Sequence, residues 1–99
     1  MIITGMDHFL SLCKRKLVER YNMNEVTLQS ECHVKPVPKI DLSNVFVVWS
    51  CKTLQNYKAL LSTTVSGDGV YVEYTYNGDK QELYEDFYIK SNNRKIVDE

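Results

Sequence analysis

Three cysteines, two histidines and a cluster of carboxylates carry most of the reactive chemistry in this chain. Cys32-His33 together with Cys51 would supply zinc donors, but structural zinc sites use paired ligands at short spacing such as C-x2-C, and no second pair exists here. Cys51 beside Lys52 is a candidate nucleophile. Thiolate chemistry also wants a partner base, and His8 and His33 fall in a helical and a loop segment with nothing placing them near it. A cysteine in a strand next to Trp49 reads as core. The chain contains no G-x-x-x-x-G-K-[ST], no G-x-G-x-x-G and no G-x-S-x-G, so the usual nucleotide and hydrolase signatures are missing. No catalytic residue, cofactor site or metal site is therefore expected.

Binding residues are easier to nominate. The run Lys52-Thr53-Leu54-Gln55-Asn56 groups polar side chains at a hairpin end, where Lys52, Gln55, Asn56 and Lys58 could hold a ligand or partner. The plainer reading is turn chemistry, with Asn suited to positive φ and Lys as a solvated flank. Trp49 and Tyr71, in the neighbouring strands, complete the candidate binding set. Glu82, Glu85 and Asp86 would share one side of a second helix and could imitate phosphates to a basic partner, although an acidic solvated face is the commoner meaning of such a group. The seven tyrosines point more strongly to protein contacts, where Tyr is enriched, even if most of them serve the core.

These side chains need elements to position them. Met6, Phe9, Leu10, Cys13, Leu17 and Tyr21 recur at helical spacing, with Asp7, His8, Ser11, Arg15 and Glu19 opposite, so an amphipathic helix is expected, capped by Thr4 and ending in Asn22-Met23-Asn24. Residues 24–43 hold both prolines, Pro36 and Pro38, and read as an irregular connection with at most a short extended piece. Val26, Leu28, Val34 and Ile40 would tack it to the core across one end of the sheet. Dense β formers from Val45 to Trp49, a second run from Tyr57 to Thr64 and a third from Val70 to Tyr76 predict a three-stranded antiparallel meander, its last two strands joined at Ser66-Gly67-Asp68-Gly69. In the third strand Val70, Val72, Tyr74 and Tyr76 alternate against Tyr71, Glu73 and Thr75.

After Asn77-Gly78, Asp79 with Glu82 fits a capping box, and Leu83, Tyr84, Phe87 and Tyr88 make a helical stripe. Alternation of Tyr84, Asp86, Tyr88 and Lys90 would fit a strand instead. Pairs three and four apart account for Leu83 and Phe87 as well, so the helix is the expectation, with Lys95-Ile96-Val97 as a short edge strand. The fold class is thus α+β in the order α-β-β-β-α, a single domain over residues 1–99 with two helices on one sheet face. The first strand is apolar on both sides, with Val45, Val47 and Trp49 set against Phe46 and Val48, which is unusual when one face is wet. Either the proline-containing connection covers that second face or another protein does.

Composition bounds the remaining choices. An apolar fraction of 43% and a charged fraction of 25% belong to an ordinary globular protein rather than a disordered or disulfide-framed one. No apolar run approaches the ~20 residues that span a bilayer, and the first residues do not resemble a signal peptide. With an odd, widely spaced set of cysteines read as reduced thiols, a cytoplasmic location without disulfides is expected. A net charge of −1, slightly basic toward the N-terminus and acidic toward the C-terminus, lacks the concentrated basic face of a nucleic-acid binder.

The stretch Val47-Val48-Trp49-Ser50-Cys51-Lys52-Thr53-Leu54-Gln55-Asn56-Tyr57-Lys58-Ala59-Leu60-Leu61-Ser62-Thr63, followed by Tyr74-Thr75-Tyr76-Asn77-Gly78-Asp79-Lys80, resembles a family of short proteins of unknown function from phages and prophages of Gram-positive bacteria. The resemblance covers about the C-terminal half and implies a phage accessory protein made in a bacterial cytoplasm. It supplies no catalytic residues. The expected function is non-enzymatic: binding a host or phage protein, such as a defence or nucleic-acid-processing factor, or self-association through an apolar sheet face. The alternative is a small nucleic-acid-binding module, because α-β-β-β-α is also the order of double-stranded RNA-binding domains. Asp79-Lys80-Gln81-Glu82 gives that position the wrong sign for phosphate.

Overall fold

The computed structural model describes residues 2–22, 27–30, 33–36, 39–65, 69–92 and 94–97, with backbone alone for 27–30 and 33–36. Helix α1 (Met6–Asn22) opens where the Phe9 N–H donates to the Gly5 carbonyl at 3.0 Å. The helix is therefore capped at Gly5, one residue after the expected Thr4, and the Thr4 N–H donates instead to His8 Nδ1 at 3.1 Å. Its inward stripe is Phe9, Leu12, Cys13, Leu17 and Tyr21, while Asp7, Ser11, Arg15 and Glu19 face water. The 3.6-residue period thus produces the buried face read from the sequence.

At the helix end Asn22 acts as a clamp. Its amide nitrogen donates to the Ile40 carbonyl and its amide oxygen accepts the Ile40 N–H, both at 2.9 Å, which ties the chain's return point to α1. Ile40 is buried in the core, as expected of it; Val26 lies outside the described residues, and the side chains of Leu28 and Val34 are not described. A single 3-10 turn (Leu42–Asn44), capped by Asp41, then delivers the chain into the sheet.

The connection contains more regular structure than anticipated: β1 (Thr27–Ser30) and β2 (His33–Pro36) form an antiparallel hairpin with Thr27 opposite Pro36. The proline sits at the end of its strand, where a missing N–H disturbs the ladder least.

The main sheet is a four-stranded antiparallel meander in the order β3 (Val45–Thr53), β4 (Asn56–Thr63), β5 (Val70–Asn77) and β6 (Glu82–Ile89). Residues 66–68 of the anticipated β4–β5 turn lie outside the described residues. Directly opposed residues share a face, so the register sorts the sheet into two sets. One set, including Leu61-Val72-Phe87, Ala59-Tyr74-Glu85 and Tyr57-Tyr76-Leu83, faces α1. Phe9 stacks on Tyr57 with ring centroids 5.3 Å apart, and Val70, Val72, Tyr74 and Tyr76 are buried as their alternation predicts.

The architecture corrects the expected α-β-β-β-α order. Residues 82–89 are a fourth strand rather than a second helix, and among the described residues there is no C-terminal helix. Leu83 and Phe87, the pair that favours a helix, are four apart and so share a face in a strand too. The strand also supplies partners for the outer ladder groups of β5, which a helix would leave unpaired in that ladder. Residues 94–97 form no regular structure, so Lys95-Ile96-Val97 is not an edge strand.

The expected capping box at Asp79 and Glu82 is replaced by turn chemistry. Asn77 Oδ1 accepts from the N–H groups of Asp79 and Lys80 at 3.0 and 3.2 Å, and Gln81 takes a left-handed φ of 53° to reverse the chain. This turn packs on the β3–β4 turn, where Leu54 is also left-handed at φ 57°. Gln55 Nε2 donates to Asp79, and the Gly78 N–H donates to Asn56 Oδ1 at 3.0 Å. A Cβ on Gly78 would lie 2.2 Å from the Gln55 carbonyl oxygen and 2.7 Å from its Cβ, so glycine is required here for close backbone approach. Gly78→Ala is accordingly expected to destabilise the chain by about 1–3 kcal/mol, measured as a lowered urea midpoint with unchanged slope.

Candidate protein-interaction face

The second set of sheet residues points away from α1. Its composition is decided by one irregularity in β3: Val47 lies opposite Leu61 and Trp49 opposite Leu60, so Val48 is an extra residue in a β-bulge. Simple alternation would send Trp49 and Cys51 inward with Val45. After the bulge both lie opposite the outward residues Leu60 and Lys58, and both are exposed, which overturns the reading of Cys51 as core. Ser50 and Lys52 take the inward positions, opposite Ala59 and Tyr57.

Across the four strands the outward rows read Phe46-Ser62-Tyr71-Tyr88, then Trp49-Leu60-Glu73-Asp86, then Cys51-Lys58-Thr75-Tyr84. Phe46, Val48, Trp49, Tyr71, Tyr84 and Tyr88 are each between 40 and 51% exposed. The aromatics of β3, β5 and β6 thus share one face, interrupted by the charged row of Glu73 and Asp86 and by Lys58. Ser62 beneath them is buried and satisfies its hydroxyl by donating to the Val70 carbonyl at 2.8 Å. Among the described strand residues that point outward, Lys58 is the one cation, paired with Glu73 at 3.4 Å, while Glu82 and Asp86 add further negative charge.

The candidate set divides accordingly. Trp49, Tyr71 and Lys58 meet on this outer face. Lys52, Gln55 and Asn56 do not: Lys52 lies over the inward Tyr57 ring at 5.5 Å, and Gln55 and Asn56 hold the two turns together. Lys52 and Gln55 border a shallow depression of about 240 Å3 at the sheet end, lined also by Ile2, Leu54, Tyr76 and Gln81. Phe46, Tyr84 and Tyr88 belong to the face without belonging to the candidate set. The strand reading of 80–91, with Tyr84, Asp86 and Tyr88 in alternation, is the signal that places both tyrosines there.

The acidic trio also splits. Glu85 faces inward and receives the Tyr74 hydroxyl at 2.6 Å and the Arg20 guanidinium at 2.8 Å, while Arg20 lies 5.3 Å from the Phe87 ring centre. This network fastens α1 to β6. Burial, and then the Glu85 carboxylate it bonds to, push the Tyr74 hydroxyl well above its usual range, and burial pushes the Cys13 thiol up to about 12. Cys32 of the imagined zinc set lies outside the described residues, and among the described residues no group of three His, Cys, Asp or Glu side chains could hold a metal ion.

The sequence model of a family of unknown function (DUF6275) matches residues 10–98, and the chain belongs to that family. No curated protein and no solved structure matches the chain.

The two described thiols differ in environment, and their chemistry is expected to differ with them. Cys51 should alkylate readily in the native state at pH 8, with Cys13 modified only on unfolding, as read by peptide mapping. Because Cys13 and Tyr74 keep their protons in the fold but lose them in the unfolded chain above roughly pH 9 and 10, stability should fall as pH rises beyond about 9. Cys13→Ala and Tyr74→Phe should flatten that decline in urea titrations.

Proposed function

We propose that this member of the DUF6275 family is a non-enzymatic interaction module that binds another protein through the outer face of its four-stranded sheet. One observation carries the reading: five aromatic side chains, Phe46, Trp49, Tyr71, Tyr84 and Tyr88, stand partly exposed on the side that α1 does not cover. Burying such rings against a partner releases water from apolar surface, and tyrosine and tryptophan are the residues most often energetic at protein contacts. The resemblance of residues 47–63 and 74–80 to phage and prophage proteins of Gram-positive bacteria supports a setting as a phage accessory protein in a bacterial cytoplasm. In that setting the partner is a host factor, such as a defence or nucleic-acid-processing protein.

Exposed aromatics on a sheet can also stack on unpaired bases. Here the surrounding charge opposes it, because the phosphates would meet Glu73, Glu82 and Asp86 with Lys58 already engaged. The double-stranded RNA-binding layout also requires a final helix, and residues 82–89 are a strand.

The combined variant Tyr71→Ser and Tyr88→Ser tests the reading. It should retain the wild-type circular dichroism spectrum, since both rings are partly solvated. Affinity capture from the native host should lose its specific partner, with at least a tenfold drop in affinity once that partner is purified. Undiminished capture by the folded variant would remove the outer face from consideration.

A further inference from the structure

We infer that the partner of the outer face presents arginine, received by the Glu73 and Asp86 carboxylates between flanking tyrosine rings. This inference rests on the interaction reading above and names the chemistry of the occupant. Glu73 and Asp86 are directly opposed on β5 and β6, which brings their Cβ atoms to roughly 5 Å. Like charges so placed repel, and Lys58 reaches only the Glu73 side of the pair, at 3.4 Å. The Asp86 carboxylate is exposed and makes no ion pair or side-chain hydrogen bond among the described residues.

Tyrosines flank this pair on both sides, Tyr71 and Tyr88 in one row and Tyr84 beside Thr75 in the other, with Trp49 farther along the same row as the carboxylates. A flat guanidinium satisfies both features at once. It lies against an aromatic face, where the ring's negative quadrupole attracts it, and its fork of N–H donors bridges carboxylate oxygens. An ammonium would supply the charge but not the bridging geometry. Another copy of this chain would bring a second acidic face against the first, and a nucleic acid would bring phosphates, so charge complementarity selects a basic protein surface over both.

The test uses the full chain and the fluorescence of its single tryptophan, Trp49, which stands on the face concerned. A short synthetic peptide alternating arginine with leucine is the probe, compared with the same peptide carrying glutamate for arginine and with a single-stranded oligothymidylate. Saturable change is expected for the arginine peptide alone. Asp86→Asn should weaken it about tenfold, the loss of one charge-assisted hydrogen bond, and Asp86→Lys should abolish it. Asp86→Asn should also unfold at an equal or higher urea concentration than the wild type, because it removes the cross-strand repulsion.

Binding of the arginine peptide undiminished by Asp86→Asn, no binding of it, preference for the glutamate peptide or the oligonucleotide, or self-association through this face seen by light scattering would each overturn the inference. The interaction face and its arginine ligand are separable. A captured partner lost with Tyr71→Ser and Tyr88→Ser but kept with Asp86→Asn retains the face and rejects arginine. A partner indifferent to both sets of substitutions rejects both.

Discussion

One helix must serve a sheet with two greasy faces. An α-helix with its side chains is about 10 Å across, whereas four strands spaced ~4.8 Å apart span roughly 14 Å between outer axes, so α1 cannot shield even one face by itself. It lies chiefly over β3 and β4, where Phe9 meets Tyr57, and reaches β6 through the long Arg20 side chain. The opposite face receives nothing from α1. Its rings stand 40 to 51% exposed, so a chain of ordinary apolar content still displays a broad aromatic surface.

The polar network on the helix side is the counterpart of that arrangement. Glu85 is the inward residue of a strand that is otherwise apolar on that side, with Leu83 and Phe87 flanking it. A carboxylate placed there needs partners, and it has two, the Tyr74 hydroxyl and Arg20. Ion pairs of this partly buried kind add little net stability but penalise wrong pairings, because any shift of β6 by one residue would send Glu85 outward and bring a neighbour of the wrong character in. The sheet edge is thus held in register by chemistry that the outer face does not share.

Much of this is legible in the residues. The period of α1 and the alternation of β5 are strong because each repeats over several turns or pleats, and both faces agree with their patterns. The C-terminal segment misleads because Leu83 and Phe87 satisfy helix and strand equally, and the deciding fact, an unpaired edge on β5, is a property of the assembled sheet. Lys52, Gln55 and Asn56 look available because their sequence neighbours are turn residues. Their actual partners, Tyr57, Asp79 and Gly78, include two from a turn more than twenty residues away, and no local pattern announces such a meeting. Trp49 reads as inward because a bulge has no reliable marker among β-branched residues.

That bulge makes the outer surface a matter of counting. The strand beyond Val48 keeps its orientation only because one residue goes unmatched, so the positions downstream differ in their tolerance of gaps. Excising Val48 would merely straighten the ladder and leave Trp49 and Cys51 where they stand. Excising Ser50 would turn over the rest of the strand, presenting the Lys52 side chain outward and driving the Cys51 thiol toward the helix. Descendants of this chain are therefore free to lose a residue at the first of these sites and are held to a fixed tally at the second.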